Sequence, residues 1–148
     1  MKTILIVDDQ PDFAELLANL LHGEDNEIDT AYSVREAKQK MDLKKYGYAI
    51  IDWSMPDGIG LDIIEDIAGD PGAKFMVLTG SPNRIIEDTV YLYGGEYLQK
   101  TDSDLLNELS IRKIPNSFFV NSISFPWQLI VAFKRLSVSP LCTSMVLS

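Results

Sequence analysis

Apolar residues along the first hundred positions fall into short runs that alternate with segments of helical period. Ile4-Leu5-Ile6-Val7, Tyr48-Ala49-Ile50-Ile51 and Phe75-Met76-Val77-Leu78 are uninterrupted apolar runs, and Tyr97-Leu98 is a shorter one. Runs of this length, bounded by polar residues, predict buried strands. Between the first two lie Phe13, Leu16, Leu17, Leu20 and Leu21, spaced i, i+3, i+4, i+7 and i+8 as on one face of a helix. Gly23 is its expected stop. Glu27–Ala31 predicts a more polar strand, suited to a sheet edge. Ser33-Val34-Arg35-Glu36 has the form of a capping box and opens a helix to about Met41. Further helices are predicted over Gly60–Ala68 and Asn83–Tyr91, the latter ending at Gly94-Gly95. A last helix carrying Leu105, Leu106 and Leu109 would start at Asp102 or Ser103. The strands are thus Thr3–Val7, Glu27–Ala31, Tyr48–Ile51, Lys74–Leu78 and Glu96–Leu98. Strands alternating with helices predict an α/β fold, with a parallel sheet covered on both faces.

The strand ends carry the chemistry. The first strand ends in Asp8-Asp9, the third in Asp52, the fourth in Thr79, and the last leads through Gln99 to Lys100. In an open parallel sheet these ends share one rim, where such folds bind their ligands. Three carboxylates gathered there either raise one another's pKa or hold a cation. Oxygen-only ligands favour Mg²⁺, which keeps several waters and accepts carboxylates together with phosphate oxygens. Lys100 would supply a second positive charge and Thr79 a hydrogen bond to a phosphoryl oxygen, as phosphoryl transfer requires. Asp52 is then the candidate nucleophile. Each residue also has a structural reading. Asp8 or Asp9 caps the following helix, Thr79 bonds locally, Lys100 is a solvated charge, and Tyr97 is a core-edge aromatic. Trp53 should point to the face opposite Asp52 by strand alternation. His22, the only histidine, reads as a surface residue at a helix end.

Charge divides the chain. Residues 1–108 contain all 22 acids and 9 bases, a net of −13, while residues 109–148 contain four bases and no acid. The acidic part disfavours direct nucleic-acid binding, which needs a basic face. One cysteine, Cys142, rules out an internal disulfide and makes a reducing, cytoplasmic setting the expectation. The apolar N-terminal run is too short for a secretory signal. No stretch reaches the ~18 uninterrupted apolar residues of a membrane span.

Four motifs occur in order: Ile6-Val7-Asp8-Asp9; Ile51-Asp52-Trp53-Ser54-Met55-Pro56 followed by Gly60; Leu78-Thr79-Gly80; and Tyr97-Leu98-Gln99-Lys100. Together they resemble the response-regulator receiver domain of two-component signalling, over roughly residues 1–114. The resemblance implies a doubly wound, flavodoxin-like sheet of order 2-1-3-4-5. It implies Asp52 as phosphoacceptor, with Asp9 and, through water, Asp8 as Mg²⁺ ligands beside the Ser54 carbonyl. Lys100 and Thr79 match the phosphoryl-binding pair, Gly80 leaves room for the phosphoryl group, and Tyr97 matches an aromatic switch residue. The implied partners are a histidine kinase or histidine phosphotransfer protein as donor and a downstream protein as target. No enzyme activity is implied beyond self-catalysed phosphorylation and dephosphorylation. An aspartate-nucleophile phosphatase would carry a second acid two residues after Asp52, where Ser54 stands. A pseudo-receiver that never takes phosphate would not need the full acid set.

Three features depart from the family. Thr101 stands where proline usually follows the lysine; a cis bond there would cost ~2.5–4 kcal/mol, so trans is expected. The Pro56-Asp57-Gly58-Ile59-Gly60 stretch has an extra glycine, predicting a more mobile loop. Residues 115–148 match no output domain. They are apolar (Phe118, Phe119, Phe125, Trp127, Phe133), broken by Pro115, Pro126 and Pro140, and carry only Lys134 and Arg135 as charges. Four readings stand for this tail: packing or homodimerisation, a non-native sequence such as a shifted reading frame gives, a partner-binding segment, or contact with a membrane surface.

Overall fold

The computed structural model describes residues 1–100. Seven strands and four helices follow in the order β1 (Lys2–Val7), α1 (Pro11–Leu21), β2 (Asn26–Ala31), α2 (Val34–Leu43), β3 (Tyr48–Asp52), β4 (Ser54–Met55), β5 (Gly58–Ile59), α3 (Leu61–Ala68), β6 (Lys74–Thr79), α4 (Arg84–Leu92) and β7 (Glu96–Gln99). The five long strands form one parallel sheet ordered β2-β1-β3-β6-β7. Counting only those strands, this is the 2-1-3-4-5 order that the resemblance implied. β4 and β5 form a small antiparallel hairpin that the sequence pattern did not suggest. The tail, the expected last helix and the Lys100–Thr101 bond lie outside the described residues.

Alternation along the strands builds two apolar layers. Leu5, Val7, Ala49, Ile51, Phe75 and Val77 face one side, where Ala37 of α2, Ile63, Ile64 and Ile67 of α3, and Val90 of α4 cover them. Ile4, Ile6, Ile50, Met76 and Leu78 face the other, packed by Ala14, Leu17 and Leu21 of α1. Burying each such Ile or Leu contributes roughly 1.5–3 kcal/mol relative to exposure. Central β1 and β3 are therefore nearly all apolar, whereas β2 (Asn26–Ala31) is polar and lies at the edge as expected. Trp53 packs with the α2/α3/α4 layer, opposite in phase to Asp52.

Helix ends follow local chemistry. α1 starts at Pro11, two residues before its first apolar position, since proline's fixed φ suits the first turn. Ser33 Oγ accepts from the Glu36 amide at 3.1 Å, but Glu36 reaches back to the Tyr32 amide rather than to Ser33. The capping box is thus displaced by one residue on its return arm, and the helix runs on to Leu43. Gly95 sits where a Cβ would lie 2.1 Å from the ring of buried Phe75. Only glycine allows α4 to return the chain this closely over β6 into β7. His22 is exposed just beyond α1, as expected. No helix among the described residues is long and apolar enough to cross a membrane.

Candidate phosphoacceptor site

Strand phase decides which side chains meet. Asp52 ends β3 in phase with Ile50; Asp8 continues the phase of Ile6, and Lys100 that of Leu98. All three therefore emerge at the carboxyl rim on the side of the sheet that α1 covers. A one-residue slip would send each to the other face. Asp8 and Asp52 are buried, at 2% and 7% exposure, and Asp9 is half-buried. One carboxylate oxygen from each lies within 4.8 Å of those of the other two. Lys100 Nζ bridges Asp8 Oδ2 at 2.6 Å and Asp52 Oδ2 at 3.0 Å. The amide of Gln10 donates to Asp8 Oδ1 at 3.0 Å and that of Ser54 to Asp52 Oδ1 at 3.3 Å. Gln10, not Asp8 or Asp9, is the N-cap of α1, so capping alone does not account for the two acids.

The electrostatics follow from burial. Loss of solvent pushes the Asp52 carboxyl up, with a further push from Asp8; the Lys100 hydrogen bond and charge and the Ser54 amide pull it down without cancelling the effect. For Lys100, burial works downward, but bonds and charge from Asp8 and Asp52 outweigh it and hold the ammonium above its ordinary range. Both partners of one ion pair thus shift upward. One ammonium serves two carboxylates, so the lysine gains twice while each acid still faces the other.

The hairpin beside Asp52 is anchored. Asp57 accepts hydrogen bonds from the Val34 amide at 2.9 Å and the Arg35 amide at 3.0 Å, clasping the first turn of α2. These bonds hold the Asp57 carboxyl below its ordinary pKa. The Ile59 amide donates to Asp62 at 3.2 Å. The Pro56–Gly60 stretch with the extra glycine is held in the structure by these bonds. Gly60 closes the turn: its amide donates to the Trp53 carbonyl at 2.8 Å, and a Cβ there would stand 2.9 Å from the Asp52 carbonyl oxygen.

Thr79 and Tyr97 are placed differently from the acids. Thr79 is buried, and its hydroxyl donates to the Ser81 carbonyl and accepts from the Ser81 amide (3.3 and 3.2 Å). That is the local bonding read as its structural alternative. Its carbonyl accepts from the Lys100 amide at 2.8 Å, which fixes the start of the lysine side chain. A Cβ on Gly80 would meet nothing within 4 Å, so the space beside Thr79 is open. Tyr97 packs on the α2/α3/α4 layer, and its hydroxyl accepts from the amide of Asn83, the N-cap of α4. Two contributors escaped the sequence reading: Asp57, and Phe13, whose ring lies 4.7 Å from Lys100 Nζ.

The sequence and the fold both match known proteins. The response regulator receiver domain matches residues 4–109. The chain belongs to the response-regulator receiver family. This receiver is 36% identical over 106 residues to the acid tolerance regulatory protein ActR of Rhizobium meliloti, covering 70% of the chain and 55% of ActR. It is 34% identical over 80 residues to the photosynthetic apparatus regulatory protein RegA of Cereibacter sphaeroides, covering 53% of the chain and 44% of RegA. The receiver spans about half the length of these relatives. Among solved structures, the response regulator TrrA of Thermotoga maritima, in complex with Mg²⁺-BeF, is 31% identical; the match has a TM-score of 0.63 and covers 78% of this chain and all of TrrA. A Burkholderia pseudomallei response regulator shares the fold at 20% identity, with a TM-score of 0.73 and coverage of 94% and 76%.

Proposed function

We propose that this receiver accepts a phosphoryl group on Asp52 from a histidine kinase or histidine phosphotransfer protein and thereby switches its protein contacts. The reading rests on one observation: Lys100 bridges buried Asp8 and Asp52 within a three-carboxylate cluster at the carboxyl rim. An isolated cluster of this kind is self-repulsive. Its oxygen donors suit Mg²⁺, which Asp8, Asp9 and Asp52 would hold together with the Ser54 carbonyl. Mg²⁺ supplies charge that offsets the acids and the phosphoryl oxygens. An Asp52 carboxylate oxygen forms the new bond to phosphorus as the donor's P–N bond breaks, and the released imidazole nitrogen takes up a proton. Lys100 keeps Asp52 ionised despite its burial and then binds a phosphoryl oxygen. The reaction assigned to this receiver is this transfer and the later loss of its own phosphoryl group.

The switch has a short route through the chain. A Thr79 hydroxyl drawn to the phosphoryl group must release Ser81. Ser81 leads to Asn83, which caps α4 and is held by Tyr97. Ile85 and Leu92 of α4 are 75% and 84% exposed and offer an apolar surface to a target protein.

Intact-protein mass after incubation with acetyl phosphate tests the reading. The expected outcome is a gain of one phosphoryl group that requires Mg²⁺ and is absent in Asp52→Asn. No gain in the folded wild type would reject it.

A further inference from the structure

We propose, on the reading that Asp52 is the phosphoacceptor, that Phe13 is a positioning residue whose ring holds the Lys100 ammonium at the site through a cation–π contact. Phe13 lies in the first turn of α1, behind Pro11, and packs on the same layer as Leu98, two residues before Lys100. Its ring centroid is 4.7 Å from Lys100 Nζ, inside the ~6 Å range over which an aromatic face attracts a cation. The lysine side chain is only 14% exposed, and the attraction is strongest where water is excluded.

The need for such a contact follows from what the other partners of Lys100 must do. The backbone of Lys100 is fixed by its amide bond to the Thr79 carbonyl, but four flexible side-chain bonds separate that anchor from Nζ. The ammonium is aimed by Asp8 and Asp52. Asp52 gives up an oxygen to the phosphoryl group, and both acids are needed by the divalent cation. Their hold on Lys100 therefore weakens when the lysine must bind a phosphoryl oxygen. The Phe13 ring carries no net charge, does not titrate, and does not compete for the cation. It confines the ammonium before, during and after transfer. A purely structural Phe13 would fill space under the lysine stem and nothing more.

The test uses the full chain with Phe13→Leu and Phe13→Trp, each in the wild-type and Lys100→Ala backgrounds. The initial rate of Mg²⁺-dependent phosphorylation by acetyl phosphate should fall about three- to tenfold in Phe13→Leu. Phe13→Trp should restore it to within about twofold, since indole is the strongest cation–π partner. In the Lys100→Ala background Phe13→Leu should change nothing further. NMR of Lys100 supplies a readout independent of transfer: its ε-methylene protons should show an upfield ring-current shift that Phe13→Leu removes and Phe13→Trp keeps. An unchanged rate in Phe13→Leu, an equal loss in both backgrounds, or an unshifted Lys100 resonance overturns the proposal. A wild type that takes no phosphoryl group but shows the ring-current shift would overturn the functional reading and leave the positioning contact standing.

Discussion

Lys44 and Lys100 each bridge two carboxylates. Lys44, the C-cap of α2, reaches Glu27 at 2.7 Å and Asp29 at 2.9 Å on the edge strand β2. Lys100 reaches Asp8 at 2.6 Å and Asp52 at 3.0 Å at the carboxyl rim. The distances are alike, yet Asp29 and Asp52 shift in opposite directions. Asp29 is lowered, chiefly by its hydrogen bond to Lys44, which outweighs modest burial. Asp52 is raised, chiefly by burial. Side-chain exposure separates them: 28%, 45% and 35% for Lys44, Glu27 and Asp29, against 14%, 2% and 8% for Lys100, Asp8 and Asp52. Where water remains, a shared ammonium satisfies two acids. Where water is excluded, it leaves them short of positive charge.

The sharpest break of this comparison is to remove each lysine. Lys100→Met should cost about 3 kcal/mol of stability by urea unfolding, because two buried acids lose their counter-charge. It should also slow phosphorylation by acetyl phosphate at least about 100-fold. Lys44→Met should cost about 1 kcal/mol or less and leave the phosphorylation rate unchanged. Equal costs for the two variants would remove burial as the deciding variable.

Next in size is a pH crossover. The raised pKa of Asp52 means that the folded state favours its protonated form, so its penalty is present at neutral pH and vanishes below the ordinary 3.8. Asp52→Asn should therefore raise Tm at neutral pH, with the gain shrinking as the medium is acidified. Asp29 has a lowered pKa and stabilises above the ordinary 3.8, an effect lost as pH falls through its lower folded value. Asp29→Asn should lower Tm at neutral pH, with the deficit shrinking on acidification. Thermal melts across pH read both, and two effects of the same sign would contradict the assignment. The smallest effect is expected at Tyr46, whose hydroxyl donates to Asp29 at 2.7 Å. Burial first, and then Asp29, push its phenol up to about 12. Tyr46→Phe should cost about 1 kcal/mol, and ultraviolet titration should lose one high-pH phenol.

The two clusters were not equally legible in the sequence. Asp8, Asp52, Thr79 and Lys100 could be read as one site because each ends an apolar run, and parallel strands bring such ends together whatever the loops do. Strand order came from the motifs' resemblance to a family, since apolar runs alone do not order a sheet. The Lys44 cluster gave no such signal; its members sit mid-strand and at a helix end, where charged residues are ordinary. Asp57 was read only as part of a loop, because its partners Val34 and Arg35 lie 23 and 22 residues away. β4 and β5 have two residues each, too few for any period to show. Phe13 read correctly as an apolar helix position, but its meeting with Lys100 joins opposite ends of the described chain.

The clasp of Asp57 on α2 has a consequence for how the domain can move. The hairpin beside Asp52 is tied to α2 by two hydrogen bonds. Lifting it exposes the Val34 and Arg35 amides and frays the first turn of α2. The flank of Asp52 and the start of a neighbouring helix are thus coupled mechanically, and amide hydrogen exchange at two residues remote in sequence becomes a gauge of how often the doorway to Asp52 stands ajar.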